Sequence, residues 1–229
     1  MSHYSLHLDR SQDFYDEGNY SAAKAAAEKA LTYAMPDEGN DARRIIALSL
    51  RKLECNDEAL EMMCKLVETD PTPEICAEYA LMCAERGHCD ENCRHLAQRA
   101  IEEDPDLSSA YIAMFWNDAE SGDYIEALHN LKKGMLRGAE FSDTRAFEIV
   151  RSWCQELCNQ NEHALAFKIS EAVVDLFNNF DFIILHARLA EVNNEPRIAV
   201  SYYKRALAYL RQGSSLRIEI LEAIALIEI

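Results

Sequence analysis

The chain has 229 residues, with 23 Lys and Arg against 40 Asp and Glu, a formal charge of −17. That balance argues against a protein that tracks nucleic-acid phosphates or binds an anionic membrane surface. A hydrophobic content of 49% with 28% charged residues is a composition that folds, and 7 Gly and 5 Pro exclude a loop-rich or collagen-like chain.

Residues Met1 to Arg10 contain no apolar segment of a secretory signal, and no run of about 18 uncharged apolar residues follows. No transmembrane helix is expected. The eight cysteines, at 55, 64, 76, 83, 89, 93, 154 and 158, fall inside helix-like segments, a pattern that suits reduced thiols and predicts a cytoplasmic location.

Taken in order, the segments repeat. Gly18-Asn-Tyr20-Ser-Ala-Ala23 is followed by Ala30-Leu31, then Pro36. Ile45, Leu48, Leu50 and Leu53 predict a helix, and Leu60, Met63, Leu66 and Val67 another. Asn56 to Ala59, Asp90 to Cys93 and Gly122 to Ala127 place small residues at 59, 93 and 127, 34 apart each time, and Pro71 and Pro105 share that interval. Asn194-Glu-Pro196-Arg-Ile-Ala199 with Ala206-Leu207 closes the series. Gly18, Gly87 and Gly122 allow tight turns inside helix pairs. Pro36, Pro71, Pro73 and Pro105 are read as stops for the second helices, because proline lacks an N–H and clashes with the preceding turn. No alternating β-branched run reads as a strand.

These features resemble the tetratricopeptide repeat family, built from 34-residue helix–turn–helix units. The resemblance implies an all-α fold, a right-handed α-solenoid, as a single array over 1–229. Its repeats fall at about 4–37, 40–73, 74–107, 108–141, 145–178 and 180–212, with a terminal helix at 214–229. Register is weakest near 145–178, where Ala164 and Ala172 are not seven apart.

In that family the first helices line a groove. The matching positions here are Arg44, Leu48, Arg51 and Lys52, then Ile75, Glu78 and Met82, then Ile112, Trp116 and Glu120, then Ile149 and Trp153, then Ile184 and Arg188. The resemblance implies a protein partner, a peptide or helix, with Trp116 and Trp153 as anchors or else packed between helix pairs. Arg44, Arg51 and Lys52 form either a patch for an acidic group or an ordinary solvated face. The Lys and Asn with which some members grip a terminal carboxylate are missing: Leu8, Gln12, Ile45, Ile75 and Tyr79 stand there. Bacterial secretion chaperones include small acidic members similar in kind. The acidity either steers a basic partner or keeps the chain dispersed.

Chemistry has few candidates. His88, Cys89, Cys93 and His95 are soft ligands, but three residues separate the cysteines where zinc pairs usually have two, so Cys93 is read as a buried core residue and no metal or other cofactor is expected. Cys154 and Cys158 share a helix face and read as core, with a redox or metal role as the alternative. No phosphate loop or nucleophile elbow occurs, and the chain is read as non-enzymatic. The segment Leu216–Ile229 carries only Arg217, Glu219, Glu222 and Glu228 as charges. It is either an unusually apolar cap, a homo-oligomer contact, or a helix inside a longer chain.

Overall fold

Thirteen α-helices and no strand make up the described residues of the computed structural model, residues 2–35, 38–139, 143–177 and 179–228; side chains are described for all of these except 143–146 and 176–177. The helices are α1 (His3–Asp16), α2 (Tyr20–Leu31), α3 (Asn40–Lys52), α4 (Asn56–Thr69), α5 (Pro73–Glu85), α6 (Glu91–Glu103), α7 (Ser108–Glu120), α8 (Tyr124–Leu136), α9 (Asp143–Asn159), α10 (His163–Phe177), α11 (Phe180–Val192), α12 (Pro196–Leu207) and α13 (Ser215–Ile227).

Short polar side chains start many of these helices by taking an otherwise unpaired backbone N–H. Ser2 caps α1 through Ser5 N, Asn19 caps α2 through Ala22 N, and Asp90 caps α6 through Cys93 N at 2.7 Å. The prolines act at both ends. Pro71 and Pro105 follow the ends of α4 and α6, but Pro73 is the first residue of α5 with Thr72 as its cap. It opens a helix instead of stopping one, because the first turn needs no N–H from it. Pro36 lies outside the described residues.

The turns inside the pairs need a left-handed residue. Gly18, Gly87 and Gly122 supply it at φ +77°, +73° and +78°, and Glu54, Asn161 and Asn194 take the same role at +64°, +64° and +57°. Only glycine adopts that region without a Cβ penalty.

Two compact units divide the chain. One comprises Met1–Gly122 with Leu136–Ala139, the other Asp123–Met135 with Glu140–Ile229. In the first, each helix from α1 to α7 packs on the next, and α5 also packs on α7. Its main cluster holds Ala23, Ala27, Ile45, Ile46, Met63 and Leu66. In the second, α9 to α13 pack in the same successive way, and Val174, Ile183, Ala187, Ala199 and Tyr203 belong to one core cluster.

Small residues set the closeness of the packing. Ala23, Ala59, Cys93, Ala127 and Ala199 are all buried in second helices, as are Ala30, Leu66, Ala100, Gly134 and Ala206 seven positions later. The fifth pair places Ala166 and Val173 in this role, both buried, while Ala164 and Ala172 are exposed.

Candidate functional site

The first-helix face of the N-terminal unit is built from α3, α5 and α7 at a 34-residue interval. Arg44 of α3 donates from Nε to Oε2 of Glu78 of α5 at 2.8 Å and from Nη2 to Oε1. Arg51 repeats the contact two turns later, donating to Glu85 at 2.9 and 2.7 Å. Both pairs are bidentate, the geometry that a planar guanidinium offers a carboxylate. The hydrogen bond to Glu78 holds the Arg44 guanidinium above its usual pKa.

The basic patch is therefore not three unclaimed cations. Two of its members bind glutamates of the next repeat, and Lys52 is exposed with its ammonium 5.9 Å from the Tyr20 ring centre. Glu85 was not among the mapped positions. Its signal was present, since 85 follows 51 by the same 34 residues that separate 44 and 78.

Between the two pairs, position 48 of α3 recurs as 82 in α5 and 116 in α7. Leu48 and Trp116 are half-buried, and Met82 is buried. A recess of about 80 Å³ beside the second ion pair, lined by Arg51, Asn56, Ala59, Met82, Glu85 and Arg86, has room for one side-chain tip. Glu120, at the end of α7, is exposed.

Four mapped apolar groove residues are corrected by burial. Ile75, Met82, Ile112 and Ile184 are at most 9% exposed, so they are core residues and present no open surface. Each large aliphatic group gains about 1.5–3 kcal/mol when covered, and the neighbouring helices cover these four. Arg188 is exposed. In the C-terminal unit Trp153 is half-buried and its ring lies 4.8 Å from that of Tyr124 on α8, so it packs between helices there. Val150 of α9 is fully buried, whereas the mapped neighbour Ile149 is half-buried.

Cys93 is buried, and His88 and His95 are exposed. Among the described residues no three His, Cys, Asp or Glu side chains converge on a metal-sized site. The Cys154 thiol donates to the Ala166 carbonyl at 3.6 Å, and burial pushes its pKa up to about 12, so the thiolate is suppressed. The most buried acid near this face, Asp118, is held by Arg94 at 2.8 Å. Among the described residues no helix is long and apolar enough to cross a membrane.

No protein-family model and no curated protein sequence matches the chain. Solved structures do. PilF of Pseudomonas aeruginosa is similar at 19% identity and a TM-score of 0.59, over 97% of each chain. PilW, a type IV pilus biogenesis factor, is similar at 17% identity and 0.60, over 90% of this chain and 92% of that one. The C-terminal part of a tetratricopeptide repeat protein from Cytophaga hutchinsonii reaches 0.61 at 13% identity, over 95% and 87%. The chain thus has the all-α helical-repeat fold of tetratricopeptide proteins.

Proposed function

We propose that the chain is a non-enzymatic protein-binding module, an adaptor or chaperone-like scaffold that holds a peptide or helix of a partner against its first-helix face. The observation that carries this reading is the half-buried pair Leu48 and Trp116, at one repeat position on either side of Met82, flanked by the Arg44–Glu78 and Arg51–Glu85 pairs. Apolar groups ringed by polar ones make a surface that gains by excluding water and still stays dispersed when empty. The ion pairs hold α3 and α5 in fixed register, so a partner would meet a preformed surface and pay little ordering entropy.

The charge supports the choice of partner. The N-terminal unit carries twelve Lys and Arg against twenty-five Asp and Glu, a balance of −13, and its arginines at this face are already neutralised. An apolar segment with basic flanks would be drawn to such a surface faster than an acidic one. The likeness to a pilus biogenesis factor supports work on assemblies of other proteins. Eight free cysteines fit a reducing, cytoplasmic setting.

The test compares three baits in one lysate: wild type, Leu48→Glu and Trp116→Ala, each matched to wild type by circular dichroism. A prey held by wild type and lost from both variants supports the reading. Preys held equally by all three baits overturn it.

A further inference from the structure

The α5–α6 pair holds two buried thiols against each other. Cys83 sits two residues before the end of α5 and Cys93 two after the start of α6, and they are 4% and 2% exposed. The turn between the helices fixes both. The Cys83 carbonyl accepts from His88 N at 3.0 Å, Gly87 takes the left-handed backbone at φ +73°, and the Cys93 N–H donates to the Asp90 carboxylate at 2.7 Å. Their side chains meet across the pair in hydrogen-bonding contact, and the Tyr79 hydroxyl is in the same contact with Cys83 and with Cys64 of α4.

The repeat singles this pair out. An interval of 34 carries 83 and 93 onto Ser49 with Ala59 and onto Asn117 with Ala127, all four buried. Position 93 belongs to the small-residue series that brings the two helices of a pair together, so the residue at 83 approaches it closely. Here sulfur stands on both sides of that contact. Cys83 is the better nucleophile. The contact with Cys93 and the Tyr79 hydroxyl draw its pKa below the usual thiol value despite burial, whereas the contact with Cys83, burial and the Asp90 carboxylate push that of Cys93 up. Both lie in the turns of helix that border the connection, where local opening costs least, and a peroxide is little larger than water.

We propose that Cys83 and Cys93 close into a reversible disulfide when the chain meets a peroxide, stapling α5 to α6 beside their turn. The Cys83 thiolate attacks one oxygen of hydrogen peroxide; the O–O bond breaks, and the hydroxide released takes up the proton that Cys83 gave up and leaves as water. The Cys93 sulfur then attacks the Cys83 sulfur of the sulfenic acid; the S–O bond breaks, and a second water leaves with the Cys93 proton. Two electrons pass from the two thiols to one peroxide, and a dithiol reductant returns them. The staple holds the end of α5 that carries Met82 and Glu85, the partner of Arg51. It forms whether or not that face binds another protein.

Peptide mapping of the full chain tests it. The reduced protein, freed of reductant, is treated with hydrogen peroxide, its remaining thiols are blocked in urea, and it is cut after Lys, Arg and Glu. Tyr79–Glu85, Gly87–Glu91 and Asn92–Arg94 then carry Cys83, Cys89 and Cys93 separately. The expected product is Tyr79–Glu85 joined to Asn92–Arg94, lighter by two hydrogens than the two peptides and parted again by dithiothreitol. The urea midpoint of the oxidised chain is expected to rise by about 1 M, because the bond closes a loop of about 10 residues in the unfolded state. Cys83→Ser and Cys93→Ala place there the residues that other repeats carry as Ser49, Ala59 and Ala127, and neither variant should show the rise. In Cys93→Ala the Cys83 sulfenic acid has no resolving thiol and should be trapped by dimedone. The wild-type digest decides without any variant. Cys83 and Cys93 recovered as free thiols overturn the proposal, as does Cys83 joined to Cys89 or Cys64 instead. A midpoint that is unchanged or lowered by the joined pair overturns the staple.

Discussion

Arg44 and Glu78 occupy one position of successive repeats, and Glu78 is the more deeply placed, its side chain 11% exposed against 34% for Arg44. The pair is therefore asymmetric. Removing the cation leaves a carboxylate largely out of water, whereas removing the acid leaves a guanidinium that rehydrates. Arg44→Ala is expected to cost about 2–3 kcal/mol, and Glu78→Ala nearer 1. Arg51 and Glu85 are 22% and 26% exposed, and Arg51→Ala is expected to cost about 1 kcal/mol. Urea unfolding of the singles and of both double mutants checks this. Equal costs for Arg44→Ala and Glu78→Ala would refute the asymmetry.

His186 links stability to acidity in the C-terminal unit. It is 1% exposed, its Nδ1 lies 2.8 Å from Ser170 Oγ, and its ring stacks on Phe167 at 4.9 Å. Burial, only slightly offset by Asp175, pushes its pKa down to about 4. The unfolded chain keeps the ordinary value near 6.5, so below that pH the unfolded state binds the extra proton. The contribution is complete above about pH 6.5 and is lost as pH falls toward 4, with about 2 kcal/mol gone at pH 5. Thermal melts at pH 7.5 and 5.0 should therefore separate less in His186→Gln than in wild type. An unchanged separation would place the acid sensitivity elsewhere.

Glu54 holds a left-handed backbone at φ +64° in the turn between α3 and α4, where three other repeats use glycine. Its side chain is exposed. Glu54→Gly should relieve about 1 kcal/mol of strain, after the greater entropy of glycine in the unfolded chain is counted. An unfolding midpoint that moves down instead of up would show that the side chain earns its place by a contact.

The face residues were legible as positions and not as surroundings. Repeat spacing put 44, 48 and 51 on one side of α3, and their partners in α5 followed from adding 34. Spacing within one helix says which residues share a side, but not how many neighbours cover that side. Hence Ile75, Met82, Ile112 and Ile184 read as groove and are core, whereas Leu48 and Trp116 are half-buried. Arg44 and Arg51 read as a basic patch because the cation was visible in one repeat and its glutamate only in the next.

The repeat itself was legible wherever its period held, and the fifth pair shows what breaks it. There α9 runs 17 residues where α3, α5, α7 and α11 run 13, an added turn. Ala166 therefore follows Ala127 by 39 residues instead of 34, and a search at fixed interval lands on Asn161, five residues short of it. The structure assigns the close helix contact to Ala166 and Val173, both fully buried, and leaves Ala164 and Ala172 exposed. A bulky group at each position separates the two registers. Ala166→Leu must force α9 and α10 apart, at the Cys154 contact among others, and should cost about 2–3 kcal/mol. Ala164→Leu and Ala172→Leu place the same group in solvent and should stay within about 0.5 kcal/mol of wild type. Urea midpoints decide it. A large loss at 164 or 172 with none at 166 would return the close contact to the register of a repeat beginning at 145 and displace the added turn to some other point in the pair.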